Sequence, residues 1–213
     1  MLFRSGGLQA FTVAFLRTEA SLAEGTILLV NSLAYLGGLC SLWFLGSRLD
    51  RLGSKPVLNF SFALWLVILL GWTLLAGQVL AARLPVLLGL HVLMGLFASL
   101  VQMSNTRLVM AIIPVMGRSH FFALYSVLGS LALGLAPIGW GLMIDAIGGW
   151  QAVWLGLGWN RFTVFFTGVA AVLMVTLLLA TRLEEPRAVS LEALLKEILI
   201  QSPQRILVRL WPR

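Results

Sequence analysis

The sequence predicts an all-helical integral membrane protein, a polytopic bundle with five full transmembrane helices. Of its 213 residues, 60% are hydrophobic and only 11% are charged, and the mean hydropathy is +0.97. Soluble domains are about 45–50% apolar and about 25% charged, so this composition excludes an ordinary water-soluble domain. The apolar residues form long continuous runs and do not alternate with polar ones, which favours spanning helices over a closed barrel.

Five apolar runs are each close to the length of about 20 residues that a helix needs to cross the hydrocarbon core. The stretches 25–47 and 56–82 contain no Asp, Glu, Lys or Arg. Together the runs define a transmembrane bundle over residues 27–181. We place the five spans at Ile27–Leu45, Val57–Ala76, Leu84–Thr106, His120–Ile144 and Phe162–Ala180.

The first part of the chain, residues 1–26, holds an apolar patch that is too short to span a bilayer. This patch runs from Leu8 to Leu16, and we interpret it as the outer end of a transmembrane helix whose inner part is missing. Leu22 to Gly25 then predict a turn that leads through an outer loop into the first full span.

The last part of the chain, residues 182–213, predicts a cytoplasmic amphipathic tail. Leu and Ile side chains recur at helical spacing from Leu191 to Leu199, and Ser190 is a suitable N-cap. We expect this helix to lie on the cytoplasmic membrane surface. A solvated tail that packs weakly on the bundle is an equally good interpretation.

The distribution of basic residues predicts the orientation. If the connection between the first two spans is cytoplasmic, 11 of the 15 Lys and Arg residues lie inside and four lie outside. The C-terminus is then cytoplasmic, and Trp150, Trp154 and Trp159 fall in an outer loop, where interfacial aromatics are typical. Because the basic residues are scattered over loops and a tail, the net charge of +7 does not indicate nucleic-acid binding.

A short charged loop joins the first two spans. It reads Gly46-Ser47-Arg48-Leu49-Asp50-Arg51-Leu52-Gly53-Ser54-Lys55. The pattern Gly-x-x-x-Asp-Arg-x-Gly-x-Lys resembles the loop that marks the major facilitator superfamily of secondary transporters. It departs from that pattern at Ser54, where a second basic residue is usual, and at Arg48, where an apolar residue is common. The matching positions are Gly46, Asp50, Arg51, Gly53 and Lys55.

Four further segments resemble the same family and extend the likeness over nearly the whole chain. They are similar to the start of helix eight, the loop between helices ten and eleven, helix eleven itself, and the outer end of helix eleven. The resemblance implies the C-terminal half of a twelve-helix carrier, with helices eight to twelve and the end of helix seven. The four segments are Glu24–Leu28, Pro114–Leu124, Gly134–Gly141 and Asp145–Trp150.

The resemblance also implies partners and a mechanism. A six-helix N-terminal half, either missing from this fragment or supplied by a partner chain, would complete the carrier, with a small-molecule substrate bound between the halves. In the charged loop, Asp50 would lie near a helix N-terminus of the opposite half, whose dipole attracts the carboxylate. Arg51 and Lys55 would add ion pairs and lipid contacts, and Gly46 and Gly53 would permit the tight turn. The implied location is a bacterial inner membrane.

Polar residues on the third span form a stripe. His91, Gly95, Ser99, Gln102 and Thr106 are three or four residues apart and share one helix face, with Asn105 beside it. The resemblance implies that this helix lines the cavity, so Gln102 and Asn105 are the first substrate-contact candidates. Asn31 and Tyr35 on the first full span are the next, and His91 is a further one. Hydrogen bonds between helices explain each of these residues equally well.

Two expectations concern packing. The single cysteine, Cys40, lies inside the first full span, which predicts a small buried residue and excludes a disulfide or thiol metal site within one chain. The glycines around Pro137 predict close helix packing and a kink.

An enzyme is the main competing class, and the sequence argues against it. There is no HExxH or GxSxG motif, and His91 and His120 are isolated. His91 as a proton relay would lack a membrane-embedded acid beside it. We therefore expect no metal and no cofactor. A non-transporting membrane scaffold or an inactive half-transporter remains an alternative to a carrier.

Overall fold

A computed structural model of the protein describes residues 2–45, 53–113 and 118–182. The described residues form six helices and one β-hairpin. In chain order these are α1 (Leu2–Thr18), α2 (Glu24–Leu45), α3 (Ser54–Ala76), α4 (Leu84–Ile112), α5 (Arg118–Ile147), β1 (Ala152–Trp154), β2 (Leu157–Trp159) and α6 (Arg161–Thr181). Within the described ranges, α2 to α6 are long and apolar enough to cross a membrane, which confirms the five predicted spans. The predicted amphipathic tail lies outside the described residues.

Several helices are longer than predicted; α4, for example, extends to Ile112, past the predicted end at Thr106. The first full span begins at Glu24, not at Ile27, and the Glu24 carboxylate in its first turn lies near the positive end of the helix dipole, where a negative charge is stabilising. The predicted turn at Leu22–Gly25 is therefore wrong in position. The chain turns over residues 19–23, where Ser21 has a φ of 50°. The short apolar patch is part of a longer helix, since α1 covers 17 residues.

The bundle is organised around α3, which packs against both α4 and α6. An aromatic cluster joins α3 and α6 to α1: Trp72 stacks on Phe166 with ring centroids 5.5 Å apart, and Phe15 meets Trp72 edge-on at 6.1 Å. Trp72, Phe165 and Phe166 are all fully buried. These rings therefore form the centre of the core. Aromatic pairs of this kind contribute about 0.5–1.5 kcal/mol each beyond the area they bury.

Helices α2 and α4 approach one another at backbone contact distance. A Cβ atom added at Gly95 would overlap the carbonyl oxygen of Ala34, and one at Gly37 would overlap that of Val92. A Cβ atom on Gly38 would lie 2.7 Å from the Ser99 hydroxyl oxygen. Membrane helices use small residues in this way because van der Waals packing drives their association. The contact fixes the positions of the polar residues on α2 and α4 relative to each other.

Helix α5 leaves most of its surface uncovered by the described residues. Gly134 and Gly139 have no atom within 4 Å of an added Cβ, so the expected close packing around Pro137 is wrong for these two. Gly141 does pack, with Phe11 of α1 at 3.7 Å from the added Cβ. Cys40 is also exposed, against the expectation of a buried residue.

The three connections at one end of the bundle are joined by hydrogen bonds. Asn160 Nδ2 donates to the carbonyl oxygen of Ala76 at 2.7 Å, and the Gly158 amide donates to that of Gly77 at 3.0 Å. The guanidinium of Arg161 pairs with the Glu19 carboxylate at 3.2 Å. The connections α1–α2, α3–α4 and α5–α6 therefore meet at one end. The charge distribution predicts that this end faces the outside.

The connection from α5 to α6 contains a hairpin that the sequence analysis did not predict. Val153 pairs with Gly158 in antiparallel register, and Leu155 and Gly156 form the turn with φ angles of 54° and 75°. Two positive φ angles are typical of a two-residue type I′ turn, which normally favours Asn-Gly. Because Leu155 stands at the first turn position in place of Asn, the sequence lacks the usual pattern that predicts such a hairpin.

Candidate functional site

A partly open groove of about 490 Å³ lies between α1, α2 and α4. Its volume is within the range of about 300–1,000 Å³ that small-molecule sites occupy. The buried indole of Trp65, from α3, contributes one wall. None of the described lining residues is charged. They are Leu8, Gln9, Asn31, Ala34, Tyr35, Gly38, Leu39, Leu42, Trp65, His91, Met94, Gly95, Ala98 and Ser99.

Helix α2 supplies Asn31 and Tyr35 to the groove. The two residues are four apart and therefore lie one above the other on the same helix face. Tyr35 is 71% exposed and Asn31 is half-buried, so both side chains are accessible. The structure thus brings these two predicted residues together with a third, His91, across the α2–α4 contact.

Helix α4 supplies His91, which is 2% exposed. Its Nδ1 lies 2.9 Å from the carbonyl oxygen of Leu87. A carbonyl only accepts, so Nδ1 carries the proton and donates it. The ring meets Trp72 edge-on with centroids 5.3 Å apart. Its other nitrogen, Nε2, is buried and has no hydrogen-bond partner among the described residues. Such an unmet polar atom costs about 1–3 kcal/mol.

Helix α1 adds a residue that sequence reasoning missed. Gln9 lines the groove and is exposed. The prediction for Leu8–Leu16 is only the end of a helix and includes no groove residue. The available signal was the amide side chain of Gln9 at the start of an otherwise apolar stretch.

The rest of the predicted polar stripe on α4 lies apart from the groove. Asn105 donates from Nδ2 to the hydroxyl oxygen of Tyr125 on α5. Gln102 is exposed, and its carbonyl oxygen accepts a hydrogen bond from the Thr106 hydroxyl at 2.9 Å. Of the candidate residues, Asn31, Tyr35 and His91 therefore lie at the groove, Asn105 lies at the α4–α5 contact, and Gln102 lies on the exposed surface of α4.

The charged loop is described only at its end. Gly46, Asp50 and Arg51 lie outside the described residues. Gly53 immediately precedes α3 with a φ of 82°, a conformation that glycine adopts more readily than other residues. Lys55 lies in the first turn of α3 and is half-buried. In the described part of the chain, no group of three or more His, Cys, Asp or Glu residues could hold a metal ion.

The spans and the groove define a class of protein: a helical integral membrane protein with a cavity of solute size between its helices. The comparison with protein families makes this assignment specific. The family model described as Major Facilitator Superfamily matches residues 2–211, so the chain belongs to that superfamily of membrane transporters. The family is one of solute carriers and not of enzymes. Neither the curated proteins nor the solved structures that were searched contain a match.

Proposed function

We propose that this chain is the C-terminal half of a major facilitator carrier that moves a small solute by alternating access. The observation that carries the proposal is the groove, to which three helices contribute polar side chains: Gln9, Asn31, Tyr35, His91 and Ser99. In this carrier the groove forms one wall of the substrate cavity, and the other wall comes from a six-helix N-terminal half. The membrane is a bacterial inner membrane with the C-terminus cytoplasmic.

Exposed polar side chains on the bundle support the proposal that a second half covers this side. Gln9, Tyr35 and Gln102 all belong to helices of the bundle and are all exposed. Polar side chains at membrane depth are costly in lipid and normally face protein or a water-filled path. A partner bundle that covers this side would give these groups a polar or aqueous environment.

The residues that line the groove support the proposal that the solute is uncharged. No Asp, Glu, Lys or Arg is among the described lining residues, whereas two aromatic rings, Trp65 and Tyr35, are. Apolar walls with a few placed polar groups favour ligands that make a small number of hydrogen bonds. Asn31 and Ser99 are the groups that this half offers for them in the present conformation, and in this proposal the buried Nε2 of His91 becomes accessible when the carrier changes conformation.

The charged loop has a separate role in this proposal. Gly46, Asp50, Arg51, Gly53 and Lys55 form a cytoplasmic latch that closes when the carrier faces outward. The positive φ of Gly53 supports a tight approach of the chain into α3. The Asp50→Asn variant removes the charge that the helix dipole of the opposite half attracts, so it weakens the latch by about 0.3–1 kcal/mol.

Solute flux in proteoliposomes tests the proposal. The vesicles contain this chain alone, or this chain together with the polypeptide encoded in frame upstream of Met1. A panel of labelled uncharged solutes is compared with carboxylates and amines of similar size. We expect flux of an uncharged solute only when six or more upstream spans are present.

The matched variants are Asn31→Ala in the groove and Ser32→Ala beside it. Ser32 is exposed and donates to its own helix at the Leu28 carbonyl, 2.8 Å away. Asn31→Ala should lower flux and Ser32→Ala should not. If no additional spans are encoded and the chain alone moves nothing, the alternative of a non-transporting scaffold or an inactive half replaces the carrier.

A further inference from the structure

The hairpin between α5 and α6 has an unusual composition for a segment outside the spans. Residues 148–160 contain no Asp, Glu, Lys or Arg and hold three of the eight tryptophans of the chain. Apolar side chains of this connection are strongly exposed: Leu155 is 87% exposed, Val153 81%, Trp154 65% and Trp150, which precedes β1, 54%. We refer to Val153, Trp154 and Leu155 as the hairpin tip. Apolar groups at such exposure, grouped on one short element, indicate a contact surface.

The base of the hairpin is fixed to the ends of two spans. The Gly158 amide donates to the Gly77 carbonyl oxygen at 3.0 Å, and the Thr163 hydroxyl donates to the Gly158 carbonyl oxygen at 2.9 Å. A Cβ atom at Gly77 would overlap the Leu157 side chain, so the two segments are in close contact. Because α3 ends at Ala76 and α6 begins at Arg161, these bonds hold the hairpin beside the ends of both spans.

The hairpin also lies away from the groove. Its second strand contacts α3 and α6, whereas the groove opens between α1, α2 and α4. None of the hairpin residues lines the groove. The tip therefore lies outside the groove and next to two spans whose outward-facing side chains, such as Leu70 and Val175, are apolar and exposed.

We propose that the hairpin tip is a lipid anchor that inserts into the interfacial region of the leaflet at this end of the bundle. Tryptophan favours this region because its ring is apolar and its indole N–H still reaches water or headgroups. A two-stranded hairpin has two open edges, and unpaired backbone groups are not tolerated in the hydrocarbon core. Insertion is therefore shallow, and because the tip is uncharged it does not require anionic lipids.

A fluorescent label on the tip measures this contact directly. Cys40 is the only cysteine, so Cys40→Ser gives a background in which Leu155→Cys carries the only NBD label. The full chain is reconstituted in phosphatidylcholine vesicles that contain lipids with a nitroxide either near the headgroup or near the end of the acyl chain. Val153→Cys repeats the measurement without altering the turn.

The matched control is Ala23→Cys, in a connection at the same end of the bundle. Ala23 is exposed and adjoins Glu24, which forms a solvent-exposed ion pair with Arg17 at 3.2 Å. We expect the shallow nitroxide to quench the tip label about two-fold more than the deep nitroxide, as interfacial depth requires. The control should be quenched weakly by both, and added phosphatidylglycerol or salt should change neither result.

Two results would contradict the proposal that the hairpin tip is a lipid anchor. Quenching of the tip no stronger than that of Ala23→Cys would show that the hairpin lies in water or packs only on protein. Stronger quenching by the deep nitroxide would place the tip in the hydrocarbon core and contradict an interfacial position.

Discussion

The side chain of Asn160 connects the beginning of α6 to Ala76 at the end of α3. Its Oδ1 accepts hydrogen bonds from the amides of Phe162 and Thr163, both at 2.9 Å. Its Nδ2 donates to the Ala76 carbonyl oxygen at 2.7 Å. Helix ends leave amides and carbonyls without intrahelical partners, and near a membrane few waters replace them. One residue therefore satisfies groups on both helices.

Two substitutions of Asn160 separate its capping of α6 from its hydrogen bond to Ala76. Asn160→Ala removes the cap and the bond to Ala76, and should lower the free energy of unfolding by about 1–2 kcal/mol. Asn160→Ser keeps a capping oxygen but cannot reach Ala76, so its loss should be smaller. Thermal unfolding in detergent measures both. Equal losses for the two variants would show that capping contributes nothing here.

The contact between α2 and α4 predicts a strong position dependence for added methyl groups. Gly95→Ala places a Cβ against the Ala34 carbonyl oxygen and must push the helices apart, at a cost of about 1–3 kcal/mol. Gly89→Ala lies on the same helix with no atom within 4 Å of the added Cβ. It should be neutral or stabilising by up to about 1 kcal/mol, since alanine is the better helix former.

The comparison of melting temperatures for these two variants is internally controlled, because both make the same chemical change in one helix. If Gly95→Ala melts at the same temperature as Gly89→Ala, the helices do not approach as closely as described.

His91→Phe tests whether the buried imidazole serves stability or binding. Phenylalanine keeps a ring against Trp72 and removes Nε2, which lacks a partner among the described residues. Because the loss of an unmet polar atom offsets the lost Nδ1 bond, we expect a melting temperature that is unchanged or raised. Solute binding should weaken by about tenfold, the equivalent of one hydrogen bond of about 1.4 kcal/mol. A lower melting temperature with normal binding would make His91 purely structural.

Substitutions of the two tyrosines of the chain should have opposite effects on stability and on solute binding. Tyr125→Phe removes the hydroxyl that accepts a hydrogen bond from Asn105, and should lower stability by about 0.5–1.5 kcal/mol. Tyr35→Phe alters a hydroxyl at the groove and should leave stability unchanged while weakening solute binding. Melting curves and binding isotherms of both variants provide the check. A stability loss confined to Tyr35→Phe would reverse the two roles.

The length of the apolar runs was sufficient to predict the five spans. Each of the runs that form α2 to α6 is long, continuous and almost free of charge, and lipid leaves such a segment one main solution, a helix. The wrong predictions concern the ends of helices and the connections between them. Helix α2 begins at Glu24, three residues before the predicted start, and the hairpin has Leu155 at a turn position where Asn is usual.

The site could be predicted only in part, because helical spacing gives the face of one helix but not its neighbour. Asn31, Tyr35 and His91 meet because Gly37 and Gly95 allow α2 and α4 to touch, and that contact is a property of two helices together. Spacing alone placed Gln102 on the same face as His91. Along α4, however, the groove ends near Ser99, so Gln102 lies apart.

The most direct test of the central claim is whether the groove is a water-filled path. Asn31→Cys and Ser32→Cys, each in the Cys40→Ser background, lie at the same depth on different faces of α2. Their reaction rates with a membrane-impermeant thiol reagent are compared in membranes that also contain the polypeptide encoded in frame upstream of Met1. We predict that Asn31→Cys reacts at least about tenfold faster, since a thiol in lipid cannot ionise to the reactive thiolate. Equal, slow rates at both positions would contradict the assignment of this groove to a transport pathway.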